Sequence, residues 1–337
     1  MFAGVLHYRG FVDYFDNIMP INIAKYRYFL KGSSGSGKGT LMKKIANELK
    51  KDYEIEYFNC ANDVDSLDAI AIQNKGFCIL DATNPHSRDP KIPIAIDKII
   101  DLAIFLKKDK LIPHIDKIKV LEEQKSKQYK NIALNLRDLE KLYKNEILSL
   151  DSIALDKKEL YDLSKKYLDY KKIDKIAIHR EFFLDVITEN GHISLAENFF
   201  KDSLIYSLDF NYNSIDFLYF LYNRAKKLNI SSIRFYNPIS PKYIKHLYFP
   251  NLKIAFIIND EILKYKGKID KEIYIFKNKF NKGFDDDSVY NNLKLSIKNA
   301  KKIHYMLEEI YSNSIDYYNL DNFTNSLIKE IEFNLSI

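Results

Sequence analysis

Residues 26–49 constrain the N-terminal half of the chain more than any other segment. Tyr26-Arg27-Tyr28-Phe29-Leu30 is an aromatic and aliphatic run of strand length. It leads directly into Gly32, Ser33, Ser34, Gly35, Ser36, Gly37, Lys38, Gly39 and Thr40. A helical pattern follows, with Leu41, Ile45 and Leu49 at regular spacing and Met42 and Ala46 beside them. A buried strand, a glycine loop and an amphipathic helix in that order form the first turn of an α/β sheet with parallel strands. The expected fold class is α/β, with a parallel sheet of the P-loop NTPase type.

The residue types in the loop suit an anion. Glycines at 32, 35 and 37 permit positive φ and let backbone N–H groups curl around a phosphate. A helix beginning near Lys38 directs its positive dipole end and unpaired N–H groups at the same point, and Lys38 reaches the outer phosphates as a point charge. All nine residues from Gly32 to Thr40 are therefore candidate ligands of ATP or GTP; a turn that binds nothing is the alternative. After the lysine the Walker A pattern calls for Ser or Thr to hold Mg²⁺. Here Gly39 stands there and Thr40 follows, an order that resembles adenylate kinases and some other small-molecule kinases. Thr40 or a water is left as the magnesium ligand.

A second element lies where a nucleotide site needs it. Glu54-Ile55-Glu56-Tyr57-Phe58 alternates like a strand, and Phe77-Cys78-Ile79-Leu80 is an apolar run ending in Asp81. An aspartate at the end of a buried strand is the Walker B arrangement, which places Mg²⁺ opposite the loop; Asp81 and Thr40 are the expected metal residues. Ala82 and Thr83 follow instead of a glutamate that would activate water, so rapid hydrolysis is not expected. The polar stretches NCANDVDSLD (59–68) and DATNPHSRD (81–89) both follow strands, where α/β sheets bind ligands. Asp63, Asp65 and Asp68 are candidates to position substrate or act as a base, and His86 and Arg88 to stabilise phosphate charge. The expected catalytic set is Lys38, Asp81, Asp65 and Arg88.

The chain also repeats itself. Phe2 and Gly10 recur as Phe183 and Gly191, 181 residues on; Ala46 and Leu49 recur as Ala225 and Leu228, 179 on. Ile55, Asn59, Lys75 and Ile79 match Ile233, Asn237, Lys253 and Ile257 at 178, and Leu139, Glu140, Tyr143, Asn145 and Ile147 match Leu307, Glu308, Tyr311, Asn313 and Ile315 at 168. The counterpart of the glycine loop is expected near Phe210 to Leu218, without glycine or lysine, and Asn259 is expected in place of Asp81. Such a second copy would bind no nucleotide. Each copy ends in helices: 117–149, a turn near Asp151, a run around Leu160, Leu163 and Tyr167, and then 288–330. The expected segments are a nucleotide-binding domain at 1–115, a helical hairpin at 116–176, a degenerate repeat at 177–285 and a C-terminal helical segment at 286–337.

Composition excludes more than it identifies. The net charge of +6 comes from 52 basic and 46 acidic residues without a basic patch, so nucleic acid is not an expected partner. Cys60 and Cys78 lack metal spacing and read as buried thiols of a reducing compartment. No apolar stretch is long enough for a membrane span and the N-terminus lacks a signal pattern, so the expected location is cytoplasmic.

The glycine loop followed by LMKKIA, the stretch NCANDVDSLD, and FCILDATNPH with Asp89-Pro90 resemble an uncharacterised bacterial family of duplicated P-loop ATP-binding proteins, ATPase- or nucleotide-kinase-like, over most of the chain. In that family Gly39 would be a serine. The resemblance implies fold and ligand without naming a substrate. Three functions are then open: a weak ATPase or ATP-dependent switch acting on an unknown protein or small-molecule partner, an ATP-dependent small-molecule or nucleotide kinase, and a nucleotide-stabilised scaffold without turnover.

Overall fold

The computed structural model describes residues 1–149, 156–168, 176–260, 262–275 and 287–337; the turn expected near Asp151 lies outside the described residues. The chain opens with a two-stranded hairpin, β1 (Gly4–His7) and β2 (Gly10–Asp13). Strand β3 (Tyr26–Lys31), helix α1 (Lys38–Leu49), and strands β4 (Glu56–Asn59), β5 (Leu67–Ile72), β6 (Phe77–Asp81) and β7 (Asp97–Asp101) follow. A single turn α2 (Lys108–Leu111) precedes the long helix α3 (Ile115–Ser149), and α4 (Lys157–Tyr167) comes next. The second half runs β8 (His179–Phe182), β9 (Asp185–Thr188), β10 (Gly191–Ser194), the short α5 (Ala196–Phe199), β11 (Leu204–Asp209) and α6 (Tyr212–Leu228). It continues through β12 (Ser232–Tyr236), β13 (Ile244–Phe249), β14 (Ile254–Asn259) and β15 (Lys271–Ile273), and ends in α7 (Asp287–Ser312) and α8 (Tyr317–Ser336). The fold is mixed α/β, and among the described residues no helix is long and apolar enough to cross a membrane.

Two compact units divide the chain, one of 1–4, 13–132 and 295–337, the other of 5–12 and 133–294. These boundaries differ from the four consecutive segments expected from the sequence. The reason is packing: the C-terminal helix returns to the first sheet instead of forming a segment of its own.

In unit 1 the sheet order is β4-β5-β6-β3-β7. Strand β3 pairs in parallel with β6 and β7, whereas β5 is antiparallel to both β4 and β6. Every residue of β5 is buried, as expected of a strand inside the sheet. Helix α1 lays Leu41, Ile45 and Leu49 on Tyr28, Leu30, Ile70 and Ile79, and α8 adds Leu320, Leu327, Ile331 and Leu335 to the same cluster. That last set, at steps of seven, four and four residues, makes one helical stripe. At the sheet edge, the Arg27 guanidinium donates twice to Asp97, at 2.7 and 2.8 Å, fixing β3 against β7. Burial alone would raise the Asp97 pKa, but the Arg27 bonds and the N–H groups of Ile92 and Lys91 hold it below the usual carboxylate value.

In unit 2 the order is β15-β11-β14-β13-β12-β8. Here β11 is parallel to β14 and β15, β13 is antiparallel to β14 and β12, and β12 is parallel to β8. Helix α4 packs on α6, and Tyr167 meets the ring edges of Tyr206, Phe217 and Phe256.

The two sheets follow one strand plan. A register irregularity falls after Phe58 in one and after Phe235 in the other, with Phe58 opposite Ala69 and Phe235 opposite His246. A left-handed residue precedes the next strand in each, Gly76 at φ 65° and Lys253 at φ 52°. These landmarks lie 177 residues apart, not 178, so Gly76 rather than Lys75 stands at Lys253, and Ile258 rather than Asn259 stands at Asp81. The hairpins agree at 181, as the sequence matches anticipate: Tyr14 N donates to Ala3 O at 2.7 Å, and Leu195 N to Leu184 O at 2.8 Å. The sheets differ in the added strand β8 beside β12 and at one connection. Between β3 and α1 runs the loop Gly32–Gly37; between β11 and α6 only Phe210 and Asn211 intervene, and α6 has 17 residues against 12 in α1.

Candidate functional site

The glycine loop lies wholly within unit 1, at the floor of a cavity of about 890 Å³. Gly37, at φ 89°, is the N-cap of α1 and, having no side chain, claims none of the helix's leading N–H groups. The Lys38 ammonium curls back over the loop, donating to the carbonyls of Gly32 at 3.1 Å and Ser33 at 2.8 Å, and lies 3.6 Å from Asp81. The hydroxyls of Ser33 and Ser36 are buried and have no hydrogen-bond partner among the described residues. A buried hydroxyl left unpaired is costly, and a ligand oxygen in the loop would relieve it.

Asp81, at the end of β6, accepts from Thr83 N at 2.9 Å and from the Thr83 hydroxyl at 2.6 Å. Asp68 of β5 and His86 of the following loop join it: one ligand atom from each of the three lies within 4.8 Å of the others. Asp68 is buried, and burial together with the neighbouring Asp81 charge pushes its pKa up to about 7, against the lowering effects of Cys60 and Lys38. Burial lowers the pKa of His86, which stacks on Phe15 at 4.6 Å between ring centroids. This is a carboxyl–carboxylate–imidazole group facing a lysine, with three ligand atoms close enough together to hold one metal ion.

The structure brings together most of the residues named from sequence, but not all. Gly32 to Thr40, Asp63, Asp65, Asp68, Asp81 and His86 line the same cavity. Thr40 is exposed, and Asp65 is exposed with its carbonyl accepting from Lys43 Nζ at 2.5 Å. Arg88 is turned away: its guanidinium pairs with Asp13 and lies 3.7 Å from Asp16, while its carbonyl accepts from Lys31 at 2.9 Å. An arginine committed to two carboxylates is not placed to stabilise phosphate charge.

Sequence reasoning missed the opposite wall. Helix α7 crosses the loop so closely that a Cβ added to Gly35 would sit 2.5 Å from the Glu308 carbonyl oxygen. At φ 73° the position already disfavours any other residue. His304 lies 3.4 Å from the Ser34 hydroxyl and from Glu308, and Lys301 stands 3.4 Å from Asp63. The His304 bond holds the Glu308 pKa below its usual value. Tyr129 of α3 closes another side, its pKa pushed up to about 12 by burial. These residues lie far along the chain from the loop, and nothing in their local spacing announces a site.

No family model, no curated protein and no solved structure matches this chain.

Proposed function

We propose that the chain is a P-loop protein that binds ATP, or GTP, with Mg²⁺ in the cavity over Gly32–Thr40. In this reading it hydrolyses the nucleotide slowly and reports its presence through α7. The observation that carries the reading is the loop itself: a left-handed glycine start to α1, two orphaned buried serine hydroxyls, and a lysine that fills the loop with its own ammonium and faces Asp81. Lys38 would exchange the carbonyls of Gly32 and Ser33 for phosphate oxygens.

The donor set fits a divalent cation: Asp81 and Asp68 offer hard oxygens and His86 an imidazole, a combination compatible with Mg²⁺ and more favourable still for Mn²⁺. When bound, the cation would neutralise phosphate charge. Asp81 accepts from Thr83 and Lys38 steadies the anion, while a cation would hold Asp68 in the ionised form that burial alone opposes. The contact of Glu308 and His304 with Gly35 and Ser34 supports the switch: a phosphate that reshapes the loop acts on α7 directly.

The shared strand plan supports a duplication in which the second copy has lost the site. The residues corresponding to the loop are wound into α6, and Phe217 is fully buried. At the position of Asp68 stands Lys245, whose ammonium is buried against Asp260 at 2.8 Å. An internal cation thus occupies the region where the first copy gathers its acids. A duplicated P-loop architecture is what the family resembled in sequence would carry.

A kinase is the second reading. The cavity extends beyond the loop to Tyr129, Ile132, Ile297 and Ala300, giving room for an acceptor beside the nucleotide. Titration of ATP and GTP into wild-type and Lys38→Ala protein with Mg²⁺, followed by turnover with and without candidate acceptors, separates the readings. Slow acceptor-independent hydrolysis supports the switch; acceptor-dependent ADP release supports the kinase. Failure of wild type to bind either nucleotide would sink both.

A further inference from the structure

Gly39 leaves the first copy without the hydroxyl that normally follows the loop lysine, and the space it vacates is not empty. An ideal Cβ at Gly39 would lie 3.0 Å from Ser66 Oγ and 3.9 Å from Leu67 N. The turn before β5 has moved into the volume that a serine or threonine side chain at position 39 would begin to fill. Ser66 is half-buried, lines the cavity with Lys38 and Asp81, and makes no side-chain hydrogen bond within the described residues. Thr40, the other hydroxyl nearby, is exposed on α1.

The turn that carries Ser66 is held by its backbone. Ser66 N donates to Asp63 O at 2.8 Å, Cys60 N donates to Ser66 O at 3.0 Å, and Asn59 Nδ2 donates to Val64 O at 2.7 Å. A hydroxyl fixed by its main chain, with its own donor and acceptor uncommitted, is prepared for a ligand. Two residues later the same segment delivers Asp68 to the carboxylate and imidazole group.

We propose that Ser66 supplies, from the β4–β5 turn, the hydroxyl that Gly39 lacks, and that it helps hold the divalent cation of the bound nucleotide. Gly39 and Ser66 are then a matched pair: the glycine is required because the hydroxyl arrives from elsewhere. This proposal rests on the nucleotide-binding reading above.

The test measures ATP affinity by calorimetry with excess Mg²⁺ and with EDTA, the ratio of the two being the Mg²⁺ gain. Ser66→Ala is expected to reduce that gain about tenfold while leaving the EDTA affinity unchanged, whereas Lys38→Ala weakens both. Ser66→Cys is expected to shift the preference from Mg²⁺ towards Cd²⁺, a change that a merely structural serine would not produce. Moving the hydroxyl with Gly39→Ser plus Ser66→Gly is expected to restore part of the gain. An undiminished gain in Ser66→Ala, or the loss appearing in Thr40→Ala instead, overturns the proposal while the nucleotide reading stands. Absence of any ATP binding by wild type overturns that reading and this proposal together.

Discussion

The Lys38 ammonium stands 3.6 Å from Asp81 Oδ2 while it donates to two carbonyls of its own loop. Both side chains are largely shielded from water, so their attraction is stronger than that of a surface pair. Lys38→Ala is expected to weaken triphosphate affinity by about 100-fold, in the range of a lost charge-assisted contact. Asp81→Asn should instead lower mainly the Mg²⁺-dependent part of the affinity. Calorimetric titration with and without Mg²⁺ distinguishes the two losses.

Gly35 has a different role, because its space is taken by the α7 backbone at Glu308. Backbone cannot turn aside as a side-chain tip can, and φ 73° penalises a β-carbon independently. Gly35→Ala is expected to cost about 2 kcal/mol of stability and to loosen α7 from the loop. Hydrogen exchange of the amides around His304 and Glu308 would report that loosening; unchanged protection would mean that α7 does not depend on the loop.

Asp68 gives unit 1 an unusual pH dependence. Its folded pKa of about 7 lies above the ordinary value of 3.8, so the folded state favours the protonated acid. The stability this contributes is complete below about pH 4 and is lost as pH rises towards 7 and beyond. Asp68→Asn is therefore expected to be more stable than wild type at pH 8, by at most about 4 kcal/mol, with the difference shrinking towards pH 4. Millimolar Mn²⁺ should stabilise wild type at pH 8 and not the variant, because a cation offsets the charge that burial opposes. Thermal unfolding across pH, with and without Mn²⁺, measures both effects.

The loop, its flanking strand and helix, and Asp81 were legible in the sequence because they are contiguous or follow a strand of clear pattern. The likeness of the two hairpins was legible for a related reason: Phe2 and Gly10 match Phe183 and Gly191, and both glycines take positive φ. The pairing offset differs by one residue in β4–β6 from the one the sequence matches suggest, since a lysine match at Lys75 and Lys253 concealed a left-handed position that glycine occupies in one sheet and lysine in the other. Arg88 looked like a phosphate ligand by type and position, yet Asp13, far upstream, engages it. The α7 wall was invisible and Ser66 was marked only as part of the polar stretch 59–68, because closeness to Gly35 and Gly39 is a tertiary fact that only the absence of two β-carbons records.

In unit 2, Asp185 accepts from His192 at 2.7 Å and from His246 at 2.8 Å, and burial lowers the pKa of His246 despite that carboxylate. A histidine whose folded pKa is depressed is protonated more readily when the chain unfolds. The stability of this unit is therefore expected to fall as pH drops through about 6.5, the ordinary value. His246→Gln keeps a donor for Asp185 and should flatten that slope. Chemical denaturation at pH 7.5 and 5.5 tests it: an equal loss for wild type and variant would place the acid sensitivity elsewhere.

Lys245 and Asp260 provide the complementary test of the proposed duplication. Their ion pair is almost fully buried, and Tyr143 adds a 3.2 Å hydrogen bond to the same carboxylate. Removing one member leaves an uncompensated charge in the interior, so Lys245→Met is expected to cost about 3–5 kcal/mol. Converting Asp260 to Asn as well should recover part of that loss, since the remaining polar group can still accept from Tyr143 and donate elsewhere. If the duplicated site is inert, the double variant should bind ATP as wild type does, with one nucleotide per chain. Denaturation curves and binding stoichiometry measure the two consequences separately. A second equivalent of nucleotide in wild type would refute the claim that Lys245 fills a lost site.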